Sequence, residues 1–397
     1  MGDPTDDQDR QDLHRMIRES ISAISADYDW DYWLEHARNN EFPTEFWDDL
    51  ADGGWFGVVV PEAYGGQGLG LEEMMVVTEE LQRGGARSNI LVLLASIFGP
   101  LGVQRHGTEA QKNRYLPAMA AGEERWCLGV TEPNAGTNTL RMDTRAERDG
   151  DEFVIDGGKV FISGVDVSDA MLLATRTSPY DPDRPTHGVT LFMIPDPADR
   201  DDVRLTPVDI AVDAWVETQF QVELEGVRVD EDRVLGEVDR GMGVLFDTLN
   251  PERISGAVGS IGEGLRAIDL AVAYANDRRV WSEPIGAHQS IQHPLADAYS
   301  KLKVAREMAY KAARLYDRGE ECGEQANIAN LRASTAAYEA AHHAVQTHGG
   351  NGFTDEYEVF HLWEATRAGL TAPVSSQMVK NHLAEHALGL PRSYARE

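Results

Sequence analysis

An α+β fold in three parts, helical, then β, then helical, is what the hydrophobic periodicity of this 397-residue chain predicts. Three observations carry it. Amphipathic helical segments at 8–26, 44–53 and 71–83 fill the first part, punctuated by the turn-rich PEAYGGQGLG at 61–70. The period then shortens to that of strands in DEFVIDGGKVFISG, AMLLATRT, HGVTLFMIP and TQFQVELEGVRV, separated by Asp-Gly and Pro turns. After GEVDRGMG the helical period returns, with Ile254, Val258, Ile261, Leu265, Ile268 and Val272 recurring every three or four residues. Further helical runs follow at about 293–317, 323–347 and 373–388. The domains expected are an N-terminal α-helical domain at 1–125, a β-barrel-like middle domain at 126–236 and a C-terminal four-helix bundle at 237–397.

Bulk composition narrows the function. Sixty-seven acidic residues against 36 Lys and Arg give a formal charge of -31, which repels nucleic acid and anionic membranes over most of the surface. The acids are spread along the chain, a solvated coat suited to high salt, and so a halophilic protein is expected. NILVLLASIFGPLGV at 89–103 is too short and interrupted to span a bilayer and reads as a buried helix. The polar, acidic start has no signal-peptide pattern, so a cytoplasmic location is expected. Cys127 and Cys322 supply neither a disulfide framework nor a metal cluster. HLAEH at 382–386 sets two histidines on one helical face with no third ligand nearby, and no metal site is assigned.

Two short segments bear on chemistry. CLGVTEPNAGTNT at 127–139 joins a strand-like start to a loop of small and hydroxyl residues, which lets backbone N–H groups approach a phosphate or heterocycle. NPERISGAVG at 250–259 places Glu252 after a proline. Asn250 as N-cap and Pro251 at the first helical position would make Glu252 a first-turn acid facing the helix dipole. On this segment alone the cap is the favoured reading, and a base positioned for a substrate proton is its competitor.

The first segment, with DGDEFVIDGGKVFISG, resembles the acyl-CoA dehydrogenase pattern of a T-E-P-x-A-G loop followed by a G-x-K-x-x-I-[TS] strand. The resemblance continues through GVVVPEAYGGQGL, HGTEAQKNRYLPAMAAGE, VRVDEDRVLGEVDRGMG, DRRVWSEPIGAHQSIQHPLAD and AVQTHGGNGFTDEY, nearly the whole chain in the family's order. It implies an α-β-α fold, non-covalent FAD and α,β-dehydrogenation of an acyl-CoA to the trans-2-enoyl-CoA. It also implies a homotetramer built as a dimer of dimers, and electron transfer to an electron-transferring flavoprotein. An acyl-CoA oxidase, or a flavin-binding relative without turnover, are the alternatives within this fold.

Carried over by motif, Leu128, Val130, Thr131 and Thr137 resemble the loop along the flavin, with Thr137 also near the substrate. Phe161 stands at the position of the aromatic residue over the flavin face, next to Ile162 and to Ser163, whose hydroxyl reaches the flavin edge. Arg278, Trp281, His288 and Gln289 resemble the segment that reaches the neighbouring subunit's FAD, and Gln346, Gly349 and Gly350 its partner loop. Ser375 and Gln377 match further cofactor contacts. The family's usual base lies just before them, and counting without a gap from Tyr357 puts Pro373 there. In isovaleryl- and long-chain-type members the base instead comes from an E-R pair, which Glu252 and Arg253 match. The resemblance therefore implies Glu252 as catalytic base, with Asn250 and Arg253 on the CoA side. The family meets the thioester oxygen with a ribityl hydroxyl and a backbone N–H at the usual base position. Proline has no N–H, so either another donor assists or the loop is shifted.

Overall fold

A computed structural model describes residues 4–87, 92–213 and 215–393. The helical first part comprises α1 (Pro4–Ser25), α2 (Trp30–Asn39), α3 (Thr44–Asp52), α4 (Leu71–Gly84), α5 (Pro100–His106) and α6 (Glu109–Ala120). Asp29 caps α2 by accepting from the Tyr32 N–H. Thr108 and Gln111 form a reciprocal capping box on α6. The stretch expected as one buried helix at 89–103 departs from that expectation. Residues 88–91 lie outside the description, Leu93–Ile97 form a π-helical turn, and Gly99 and Pro100 separate it from α5. Burial was anticipated correctly: Leu94, Ala95, Ile97 and Val103 are in the core.

The middle part is a sheet of β1 (Trp126–Gly129), β2 (Arg145–Asp149), β3 (Glu152–Ser163), β4 (Ala170–Arg176), β5 (Val189–Pro195), β6 (Val203–Val208), β7 (Gln219–Asp230) and β8 (Val234–Leu235). Its order is β6-β7-β3-β2-β4-β5-β8, with β1 parallel to β4. The pattern of β4 and β5 explains their place. Both are apolar runs buried almost throughout, as expected of strands covered on two sides.

The last part holds α7 (Gly241–Asp277), the short hairpin β9 (Arg279–Val280) and β10 (Glu283–Pro284), α8 (Gln289–Asp317), α9 (Gly323–His348), α10 (Val359–Ala368) and α11 (Ser376–His382). Helix α7 corrects the expectation of an N-terminus at Asn250. It begins at Gly241 and runs without a break through Pro251, and Arg240, whose side chain makes no capping bond, precedes it. An interior proline costs about 3 kcal/mol. Burial along the helix offsets that cost: Met242, Leu245 and Thr248 precede Pro251 in the core, and Ile254, Ala257, Val258 and Ile261 follow it. The signal was the apolar spacing upstream of the proline, which outranks a favourable cap sequence.

Three glycines of α7 admit three neighbours. A Cβ on Gly262 would lie 2.6 Å from the Glu79 carbonyl oxygen of α4, and one on Gly264 would lie 3.0 Å from Cα of Ala337 in α9. One on Gly256 would lie 3.3 Å from Cδ of Pro373 and 3.6 Å from Nδ2 of Asn330. Helix α4 is also tied to α8 by charge. Asp317 accepts from the Leu71 and Glu72 N–H groups at 2.7 and 3.0 Å, Glu72 pairs with Arg314 at 2.8 Å, and Glu79 pairs with Arg306 at 2.7 Å. These ties orient the first helical part on the bundle.

Candidate active site

Glu252 sits about three turns inside α7. Its side chain is half-buried, keeping a path to solvent while protein surrounds it. Burial lifts its carboxyl to about 7, against the opposing pull of the Arg253 guanidinium. No helix-end dipole acts so deep in a helix, so the dipole expected to lower it is absent. Asn250, instead of capping, accepts from Arg253 Nη1 at 3.1 Å. Burial lowers the Arg253 guanidinium from its ordinary value, with Glu252 opposing.

One turn beyond Glu252 on α7, Gly256 packs against Pro373. Ser375 caps α11 by accepting from the Met378 N–H at 3.4 Å, while Gln377 is exposed. His382 and His386 stand with ring centroids 4.5 Å apart at the end of that segment.

The loop after β1 is held from within. Glu132 is buried and accepts from the Asp143 and Thr144 N–H groups at 2.6 and 3.0 Å and from Lys159 Nζ at 2.8 Å. Lys159, wholly buried, also donates to the Val130 carbonyl at 3.1 Å. Burial pushes the lysine down to about 8 with Glu132 resisting. Burial would raise Glu132, but Lys159 and the N–H donors outweigh it and hold it below its ordinary value. The acid of the loop motif and the lysine of the strand motif are thus partners, a role that sequence reasoning missed. The available signal was a lysine spaced by even steps from Phe153 and Ile155, the buried positions of an otherwise half-buried strand.

The Val160 N–H donates to the Thr131 carbonyl at 2.9 Å, bringing loop and strand together. Directly after it, the β3–β7 register slips between Lys159 and Ile162. Phe161 takes φ +59° at this irregularity and is 57% exposed. A bulky residue held in that region is strained and marks a site at which the fold over-determines a side chain. Ser163 accepts from Gln219 Nε2 at 2.5 Å. Ile162 is buried in the core and paired with Phe220 of β7, so its side chain is not offered to a cofactor. Leu128, Val130 and Thr131 are half-buried and Thr137 is exposed.

At the far end of the bundle Tyr274 stacks on His348 with ring centroids 4.2 Å apart, and Asn351 Nδ2 donates to its hydroxyl at 3.1 Å. Arg278 follows Tyr274 by one turn at the end of α7, and Gly349 and Gly350 follow His348 at the end of α9, so both segments leave from this end of the bundle. Arg278, Trp281, His288, Gln289, Gln346, Gly349 and Gly350 are all exposed. Trp281 is 93% exposed and holds φ +59°. Among the described residues no hydrogen bond joins this end to the 128–163 region.

A helical domain, a sheet domain and a helical bundle, with an aromatic-and-hydroxyl strand edge and a half-buried helix carboxylate, define a flavin-type dehydrogenase. The sequence models of the acyl-CoA dehydrogenase N-terminal, middle and C-terminal domains match residues 11–123, 127–221 and 239–388. The chain belongs to the acyl-CoA dehydrogenase family. It is 40% identical over 382 residues to acyl-CoA dehydrogenase FadE12 of Mycobacterium tuberculosis, covering 95% of this chain and 96% of that protein. A glutaryl-CoA dehydrogenase solved with glutaryl-CoA superposes with TM-score 0.90 at 26% identity, covering 96% of each chain. Butyryl-CoA dehydrogenase of Megasphaera elsdenii gives 0.86 at 25%, covering 93% of this chain and 96% of that one.

FAD is the family's cofactor, and the residues here fit it. An exposed ring at Phe161, forced outward by backbone irregularity, suits a flat heterocycle, with Ser163 beside it and the loop to Thr137 along it. The exposed Arg278 and glycine ends suit a pyrophosphate. Arg278→Ala should lower the ratio of flavin to protein absorbance after gel filtration. Wild-type flavin retention would remove Arg278 from the FAD site.

Proposed function

We propose that the chain oxidises an acyl-CoA to its trans-2-enoyl-CoA, with Glu252 removing the α-proton, and passes the electrons to an electron-transferring flavoprotein. The observation that carries this reading is a half-buried carboxylate inside α7, one turn before the glycine against which Pro373 packs. Helix α7 offers the Glu252 carboxylate, while the family's other base position holds Pro373 by the ungapped count. FAD, when bound, supplies the acceptor for the β-hydride.

The protein's own residues do the rest. Burial raises Glu252, making it a stronger base once ionised and matching it to a weakly acidic C–H near neutral pH. Arg253, held by Asn250, lends positive charge to an otherwise acidic molecule and suits the anionic CoA side. Thr137 is exposed on its loop, which supports a role toward substrate as well as cofactor. The exposed face of Trp281 and Arg278 supports an assembly in which a second subunit covers it, consistent with a homotetramer. The acidic coat supports function in high salt, and a cytoplasmic location accords with the finding that no described helix is long and apolar enough to cross a membrane.

An anaerobic titration with a panel of saturated acyl-CoAs should bleach the flavin, and reoxidation should be fast with an electron-transferring flavoprotein and slow in air. Rapid reoxidation by oxygen would make the protein an oxidase, and no bleaching by any acyl-CoA would make it a binding protein.

A further inference from the structure

The glycine turn that ends α9 is open toward its own surface. Gly349 takes φ +60°, and a Cβ built on Gly349 or Gly350 would meet nothing within 4 Å. From there the chain reaches α10 through two successive turns, with the Thr354 N–H donating to the Asn351 carbonyl at 3.2 Å and the Tyr357 N–H to the Thr354 carbonyl at 3.0 Å. Such short turns transmit position. Tyr357 anchors the segment to the bundle, its ring centroid 5.6 Å from that of Tyr274 and 5.3 Å from that of His348.

The N-terminal helices hold the same segment by charge. Asp355 accepts from Arg38 Nη2 at 2.7 Å, and its backbone carbonyl accepts from Trp30 Nε1 at 2.7 Å, both donors lying on α2. Glu358, only 5% exposed, pairs with Arg87, which follows α4 and is itself 3% exposed. The Arg87 guanidinium lies 5.4 Å from the centre of the Trp30 ring, so the contacts to Asp355 and to Glu358 form one unit. Neutralising Glu358 does not require Arg87. Arg266 of α7 already meets it with a fork, Nε at 3.2 Å and Nη2 at 2.8 Å. A buried ion triad is often no more stable than apolar packing of the same volume. What the second arginine adds is a tie between the N-terminal helices and the segment that begins at the glycine turn.

We propose that Arg87 and Glu358 are positioning residues for FAD, holding the turn at 349–353 in the geometry that receives the cofactor and thereby linking FAD binding to the docking of α2 and α4. The inference rests on the assignment of Gly349 and Gly350 to the FAD site. Neither residue touches the cofactor; both act through the turns between Asn351 and Glu358. The linkage is reciprocal, since FAD bound at the turn must tighten the contacts of Trp30 and Arg87 by the same free energy with which those contacts tighten FAD.

The test titrates FAD into the deflavinated full-length protein. Arg87→Met should fold, because Arg266 still meets Glu358, and Glu263, the other carboxylate that Arg87 faces, is raised to about 7 by burial and can take up a proton. It should bind FAD about tenfold more weakly than wild type, within the usual range for coupled sites. The FAD-induced rise in melting temperature should shrink accordingly. Arg87→Lys, which keeps the charge, should recover part of the affinity. Amide hydrogen exchange supplies a readout that lost packing alone would not move: FAD should slow exchange in α2 of wild type, and much less so in Arg87→Met. If Arg87→Met does not fold, Trp30→Phe replaces it, with the same expected loss of affinity and of FAD protection in α2, since only the hydrogen bond to the Asp355 carbonyl is removed. Wild-type FAD affinity, or equal protection of α2 by FAD in variant and wild type, overturns the proposal. Loss of flavin in Arg278→Ala alone would overturn it while leaving the FAD face in place, whereas wild-type affinity in both variants would remove that face as well.

Discussion

Glu252→Gln should fold, keep its FAD and reduce it with acyl-CoA about 10²- to 10⁴-fold more slowly than wild type, equivalent to about 3–5 kcal/mol of barrier. The substitution keeps the size and polarity of the side chain and removes its basicity. The helix position makes the test cleaner than the sequence suggested. Glu252 stands in the interior of α7 instead of its first turn, so no cap is lost with the carboxylate. Reduction at the wild-type rate would move the base elsewhere.

The same carboxylate sets a pH dependence with a definite sign. Only ionised Glu252 accepts a proton, so kcat/KM should rise with pH through about 7 and level off above it. Stability should move the other way. A carboxyl raised in the folded protein from its ordinary 4.5 binds a proton that the unfolded chain has already lost, so stability falls as pH rises across that window. Glu252→Gln should therefore be more stable than wild type above neutrality and indistinguishable below about pH 4. Adding Pro373→Glu to Glu252→Gln should restore part of the activity, because Pro373 packs against Gly256, one turn along α7 from Glu252.

Much of the fold was legible because its elements are local. The strand period announced β3, β4, β5 and β7, and the change of period on either side of them gave the three-part fold. The start of α7 was misread because Asn-Pro-Glu is a good local cap, while the helix is held by tertiary burial of Met242 and Leu245, which no cap pattern reports. Phe161 was singled out as an aromatic, but its left-handed backbone was hidden, since it follows from a register slip against β7.

Glu132 and Lys159 illustrate the same limit with a larger consequence for stability. Both lie within recognisable motifs, but their charges meet only when the loop after β1 folds under β3. Lys159→Met should destabilise the protein by about 3–5 kcal/mol, because it leaves a buried carboxylate without its cation. For a chain of this length that corresponds to a melting temperature lower by about 5 °C, using the usual unfolding entropy per residue. The flavin-to-protein ratio should fall with it, since Val130 loses the lysine's hydrogen bond and its loop is the one expected along FAD. Combining Lys159→Met with Glu132→Gln should recover much of the loss. The neutral amide no longer needs a cation, and its oxygen still accepts from the Asp143 or Thr144 N–H. A double variant as unstable as the single one would show that lysine packing, and not the unpaired charge, holds the loop.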